Sequence, residues 1–236
     1  MKKRYIRHAS ELVTCKGSAP KHGKEMSDIG LIKDGAVIIH DDKIVAVGTT
    51  EELDKQINDE YEVIDATGKT VMPGFVDSHT HFIFGGYRAD EFSWRLKGDS
   101  YMSIMERGGG INATVVPTRE ASLEELMETG EERLNRMLEF GVTTVEGKSG
   151  YGMDCETELK MLRAMKNLNE KHPVDIVSTF LGPHSVLPEW KGKEKEFLDE
   201  QLNHVMPIVK EEGLAEFADI FTEKNVFSVE DSEYYM

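Results

Sequence analysis

The run Asp77-Ser78-His79-Thr80-His81 is the sharpest concentration of chemistry-bearing side chains in the sequence. In a strand, residues i and i+2 point to the same face, so the two imidazoles project together with Asp77 beside them. Two imidazoles so placed suit a Zn²⁺, Fe²⁺ or Mn²⁺ ion, and a neighbouring carboxylate can support the ligands from behind. A bare His-x-His is also compatible with two surface or core histidines flanking a turn. Here Pro73-Gly74 stands before it, the residues between are apolar and strand-like, and a small β-domain lies upstream. That context favours the metal.

Elements of the right kind must hold such a pair in place. Residues 36–39 and 43–47 read as two β-runs around the polar Asp41-Asp42, and residues 61–65 and 70–72 as further short strands. Residues 1–70 are therefore expected to form a small β-domain, marginal in size for a free-standing sandwich. From residue 71 the rhythm alternates. Strands are expected over 71–77, 142–145, 174–180 and 218–222, with helices over 120–140, 155–170 and 194–212 between them. Asp154 is a candidate N-cap, Gly141 and Gly213 suit helix C-termini, and Pro207 is expected to kink the third helix. Alternation of this kind implies right-handed βαβ units and a parallel sheet, with functional groups at the C-terminal strand ends.

Several longer motifs carry a family resemblance. The residues Ile64-Asp65-Ala66-Thr67-Gly68-Lys69, followed by Val71 through His81, resemble the amidohydrolase superfamily. Four segments narrow the match: residues 84–92, Gly108-Gly109-Gly110-Ile111, residues 141–152, and Phe180-Leu181-Gly182-Pro183-His184. Together they resemble the imidazolonepropionase family of histidine degradation, from about residue 30 to the end. Pro183 stands where the family pattern leads one to expect Ala, and Ser78 where it often has Pro; neither change removes a functional side chain.

The resemblance implies a metal-dependent α/β fold, the first half of a (β/α)₈ TIM barrel over residues 71–236, preceded by the N-terminal part of a composite β-sandwich over 1–70. It implies hydrolysis of the cyclic amide bond of 4-imidazolone-5-propanoate to N-formimino-L-glutamate. One divalent or trivalent metal ion, zinc or iron, would be held by His79 and His81. Arg88, Tyr151 and His184 would contact the substrate: Arg88 as a fork for the carboxylate tail, and His184 as a hydrogen-bond donor to the ring carbonyl or a catalytic group sharing proton transfer. The family's other metal ligands and general base would lie beyond residue 236. The partners implied are a small-molecule substrate and, in the full-length family, a second subunit forming a homodimer. A complete barrel takes about 250 residues, so a truncated chain with open sheet edges is expected. Two alternatives stand beside this reading: another amidohydrolase such as a heterocycle deaminase, and a catalytically incompetent fragment.

Composition bounds the rest. The 236 residues carry 44 acidic against 28 basic side chains, a net charge of −16, which argues against nucleic acid or an anionic membrane as partner. Two cysteines build no disulfide framework, and neither a signal peptide nor a long apolar span is evident, so a cytoplasmic protein is expected. Residues 141–149 imitate a P-loop but have one residue too many between the glycines and a strand-like interior. Gly108-Gly109-Gly110 reads as a flexible active-site loop, and Asn112-Ala113-Thr114 as an irrelevant glycosylation match. Lys224 invites comparison with the carboxylated lysine of two-metal relatives, a weak reading. His8, His22, His40, His172 and His204 lack partner spacing and read as structural or exposed.

Overall fold

A computed structural model of the chain describes residues 2–100, 103–104, 107, 109–224 and 226–236. It divides into two units, Met1–Pro73 and Gly74–Met236.

The first unit is a sheet of β1 (Lys3–Val13), β2 (Leu31–His40), β3 (Lys43–Thr49), β4 (Glu62–Asp65) and β5 (Thr70–Val71). The strand order is β3-β2-β1-β4, with β5 also paired to β1. Strands β2 and β3 form an antiparallel hairpin whose turn places Asp41 in the left-handed region at φ 51°. Val37 packs with Ala9 and Leu12, whereas Ala36 and Ile38 pack with Tyr5 and Leu53, so both faces of β2 are covered, as alternation along a strand requires. Strand β1 holds the sheet together but was not anticipated. Its register shifts between Ile6 and Ala9, around a left-handed His8 at φ 56°, and that bulge breaks the period-two pattern by which a strand is read.

The second unit is a four-stranded parallel sheet in the order β6-β7-β8-β9, formed by Phe75–Thr80, Val142–Lys148, Asp175–Phe180 and Phe217–Ala218. Between the strands run α2 (Ala89–Leu96), α3 (Asn112–Glu120), α4 (Leu123–Glu139), α5 (Cys155–Asn169), α6 (Glu194–Glu200) and α7 (Met206–Glu212), after a first short helix α1 (Thr50–Leu53) in the other unit. Helix α8 (Val229–Tyr235) follows β9. Helix α4 starts at a capping box in which Ser122 and Glu125 exchange hydrogen bonds, and α5 starts where the Asp154 carboxylate accepts the Thr157 N–H at 2.7 Å. Gly141 (φ 87°) and Gly213 (φ 58°) occupy the left-handed positions that end helices.

Three differences from expectation have local causes. The third helix runs from Glu194 to Glu212 as expected, but Gln201–Val205 is π-helical, a local widening of the ladder just before Pro207, which has no N–H to donate. The fourth strand is only Phe217–Ala218, with Thr222 bridging separately to Phe227. Helices α2 and α3 fill a stretch to which no element is assigned from the sequence; α3 contains Pro117 and alternates too little to show a helical face.

The core of this unit lies between the sheet and its helices and includes Phe82, Leu134, Val145, Leu162, Met165 and Ile176. Gly147 shows how tightly it is filled. A Cβ there would lie 2.7 Å from the Phe82 ring and 3.1 Å from the Met165 sulfur. Replacing Gly147 with alanine is expected to destabilise the chain by roughly 1–3 kcal/mol through overpacking. Chemical denaturation reads this as a lower midpoint at unchanged slope; an unchanged midpoint would show that Phe82 has room to move.

Candidate active site

His79 lies near the C-terminal end of β6 and His81 one residue beyond it. Their rings are 5.9 Å apart, centroid to centroid, and inclined at 69°. His81 is stacked on His184, at 4.6 Å and 6°, and Tyr151 lies 4.8 Å from the same ring. Tyr151 and His184 are in turn 5.5 Å apart. Strand order produces this meeting: His79 and His81 follow β6, Tyr151 follows β7 and His184 follows β8, so adjacent parallel strands deliver their C-terminal loops to one place.

Burial pushes the His81 imidazole down to a pKa of about 3, with the nearby His184 and His79 adding to the effect. The ring is therefore neutral at physiological pH, the form that binds a metal. Its Nδ1 is buried with no hydrogen-bond partner among the described residues, an orphaned acceptor or donor that a protein interior seldom leaves unmade. A metal ion fits this pair of imidazoles. Among the described residues no group of three or more His, Cys, Asp or Glu is placed to hold one, so the pair stands as a partial set. Asp77 accepts the backbone N–H of His79 at 3.3 Å and braces the strand end.

The low His81 pKa has a consequence for the metal-free chain. The unfolded imidazole takes a proton near pH 6.5, whereas the folded one resists until about 3. Between those values the unfolded state binds more protons, so stability falls as pH falls, by at most about 1.4 kcal/mol per pH unit from this group. Urea melts of the wild-type chain and of His81→Gln between pH 7 and 4 read the difference. Equal slopes for both would remove His81 as the cause.

His184 has its Nδ1 2.9 Å from the carbonyl oxygen of Gly150, which can only accept. Nδ1 therefore carries the proton, and burial lowers the ring's pKa and keeps it neutral. Nε2 is then a lone pair. His184 is expected either to donate to a ring carbonyl or to share in proton transfer; a neutral ring with its proton on Nδ1 leaves Nε2 as an acceptor. Arg88 stands half-buried at the start of α2, and its positive charge is among those that lower the His184 pKa, which brings it into electrostatic range of the cluster.

A second polar group sits at the same strand ends. The buried Lys148 donates to Glu146 at 2.7 Å and to Asp219 at 3.0 Å, and Thr179 donates to Glu146 at 2.7 Å. Burial works against the Lys148 charge, but the two carboxylates outweigh it and hold the amine above its usual pKa. The lysine of the P-loop look-alike is thus committed to β-sheet carboxylates and free for no phosphate. Glu146 and Lys148 share the i, i+2 spacing of the histidine pair, so strand alternation could have flagged them; Asp219 carries no such signal.

Behind the histidines, Arg133 of α4 donates to the carbonyl oxygens of Phe82 and Phe84, at 2.7 and 3.0 Å, with its guanidinium 3.7 Å from the Phe84 ring centroid. It fixes the chain where it leaves His81. Of the remaining histidines, His8 pairs with Asp34, His40 with Tyr61, His172 with Asn135 and His204 with Glu200, and His22 is exposed. Lys224 is exposed. Gly108 lies outside the described residues; Gly109 and Gly110 are buried, and the Gly110 N–H is donated to the buried Glu91 at 2.6 Å.

Comparison with known proteins gives this geometry a setting. The amidohydrolase family profile matches residues 62–114. An imidazolonepropionase from Parabacteroides distasonis is 56% identical over 229 residues, covering 97% of the chain and 55% of the relative. One from Clostridium tetani is 51% identical over 228 residues, covering 96% and 54%. The chain spans about half the length of the curated relatives it matches. Among solved structures, Escherichia coli guanine deaminase superimposes with a TM-score of 0.63 at 17% identity, over 98% of this chain and 48% of that one. An atrazine chlorohydrolase from Arthrobacter aurescens solved with zinc has a TM-score of 0.53 at 18% identity, over 91% and 45%. At these identities the structural likeness speaks for the fold alone. Among the described residues no helix is long and apolar enough to cross a membrane.

Proposed function

We propose, given that the chain belongs to the imidazolonepropionase family of amidohydrolases and matches its N-terminal portion, that it supplies the metal-binding strand and the substrate-binding loops of an enzyme hydrolysing 4-imidazolone-5-propanoate to N-formimino-L-glutamate. The observation that carries this reading is the convergence of His79, His81, Tyr151 and His184 at neighbouring strand ends, with the buried His81 Nδ1 left unpartnered.

His79 and His81 would hold one zinc or iron ion, which when bound activates water and polarises a carbonyl. The chain's own residues select and orient the substrate. Arg88 presents a planar fork that matches the propanoate carboxylate. Tyr151 offers a ring face to the flat heterocycle and a hydroxyl to its polar edge. His184 accepts a ring N–H at Nε2 and so orients the heterocycle, and a proton taken up on that nitrogen can be passed to the ring nitrogen that departs, which must gain one as the C–N bond breaks. The stacked His81 and His184 rings and the edge-to-face Phe84 and Tyr151 rings give the flat heterocycle aromatic surface to rest on. A cytoplasmic setting is supported by Cys15 and Cys155, both free.

The test uses the zinc-loaded chain. Calorimetry with imidazole-4-propanoate, an unreactive analogue, should give saturable binding, and turnover of 4-imidazolone-5-propanoate is followed by loss of its ultraviolet absorbance. A chain that neither binds the analogue nor consumes the substrate overturns the reading, and turnover of an aminated purine or pyrimidine would replace it with a deaminase.

A further inference from the structure

Glu158 of α5 is completely buried. Its carboxylate accepts three backbone N–H groups, from Gly150, Gly152 and Met153, each at 2.8 Å. Those amides bracket Tyr151. They also hold a backbone that would otherwise relax: Gly150 has φ 105° and Met153, a residue with a side chain, has φ 53°. The Gly150 carbonyl is the acceptor that puts the His184 proton on Nδ1. The two loops are pressed together, since a Cβ on Gly150 would lie 2.5 Å from the Leu181 oxygen and 2.9 Å from the His184 Cβ. Ser149 ties them again, accepting the Leu181 N–H at 3.0 Å, and burial raises the Glu158 pKa while the Ser149 hydroxyl and the three amides work against that rise.

We propose that Glu158 is the positioning residue of the site: one buried carboxylate fixes the 149–153 loop, and through it both the placement of the Tyr151 ring and the tautomer of His184. This rests on the reading that Tyr151 and His184 meet the substrate. A residue needed only to fill space beneath the loop could be glutamine, which has the same shape. Glutamine has one acceptor oxygen, however, and its amide would point N–H groups at N–H groups. The carboxylate is required by the chemistry of its three donors.

Two readouts on Glu158→Gln test this. Long-range ¹H–¹⁵N spectra of the metal-free, ligand-free chain report the His184 tautomer, and calorimetry on the zinc-loaded chain reports affinity for imidazole-4-propanoate. The wild-type ring should be protonated on Nδ1. The folded variant should lose that single tautomer and bind the analogue about tenfold or more weakly, as expected when a binding group is displaced by a fraction of an ångström. A variant that keeps the Nδ1 tautomer and wild-type affinity, or a wild-type ring protonated on Nε2, overturns the proposal. Should Glu158→Gln not fold, Ser149→Ala is judged by the same criteria, because it removes the hydroxyl shared by Glu158 and the Leu181 amide. If the wild-type chain does not bind the analogue, the substrate reading fails, and the tautomer alone decides the role of Glu158.

Discussion

Replacing His81 with alanine is expected to lower zinc affinity by at least about 100-fold, since loss of a mere hydrogen-bonding partner to a ligand already costs 10- to 100-fold. The ring is neutral, largely withdrawn from water and carries a nitrogen with no hydrogen-bond partner among the described residues. His79, 5.9 Å away on an exposed strand end, should show a loss of the same order. Equilibrium dialysis with metal analysis reads both, with circular dichroism to establish that each variant is folded. The two-histidine site is refuted if both variants retain zinc as the wild-type chain does. The residues that hold the imidazoles in place predict a smaller effect: Arg133→Met releases the Phe82 and Phe84 carbonyls and should weaken the metal without abolishing it.

Loss of the Arg88 guanidinium should produce the second large effect. In Arg88→Gln the affinity for imidazole-4-propanoate is expected to fall on the order of 100-fold, roughly 2–3 kcal/mol for a charge-assisted bidentate contact. Lysine keeps the charge but not the planar fork, so Arg88→Lys should recover only part of that loss. Calorimetry with the corresponding alcohol, which lacks the carboxylate, separates a lost ion pair from a distorted loop. Wild type and variant should bind the alcohol equally. A variant that discriminates between acid and alcohol as the wild-type protein does would remove Arg88 from the carboxylate.

Much of the second unit could be read directly. Helices α4 and α5 show continuous apolar faces, flanked by Ser122 and Asp154 as caps, and strands β7 and β8 are short apolar runs between them. These are local signals, each set by a few neighbouring residues. Strand β1 was not legible, because a bulge at His8 interrupts its alternation and its polar side chains face outward. Helix α3 was hidden for a similar reason, with a proline inside and a weak apolar face. Within the site, Arg133 and Asp219 offered nothing to find: each is one charged residue among many, distinguished only by what lies across from it.

The sequence by itself brought His79 and His81 to the end of one strand, two positions apart; the strand's register shifts between Asp77 and Thr80 and His81 lies just past its end, so how the two rings face each other is set by the fold. The longer motifs likewise carried the likeness to imidazolonepropionases and the identities of Arg88, Tyr151 and His184. Only the tertiary structure decided what these groups present to a ligand. Lys148 meets Asp219 across 71 positions of sequence, and the His184 proton is assigned by a carbonyl 34 positions away. Such pairings follow from the order in which parallel strands assemble, and no local period encodes that order. The same holds for Glu158, an ordinary glutamate in the first turns of a helix until the fold buries it beneath the loop it secures.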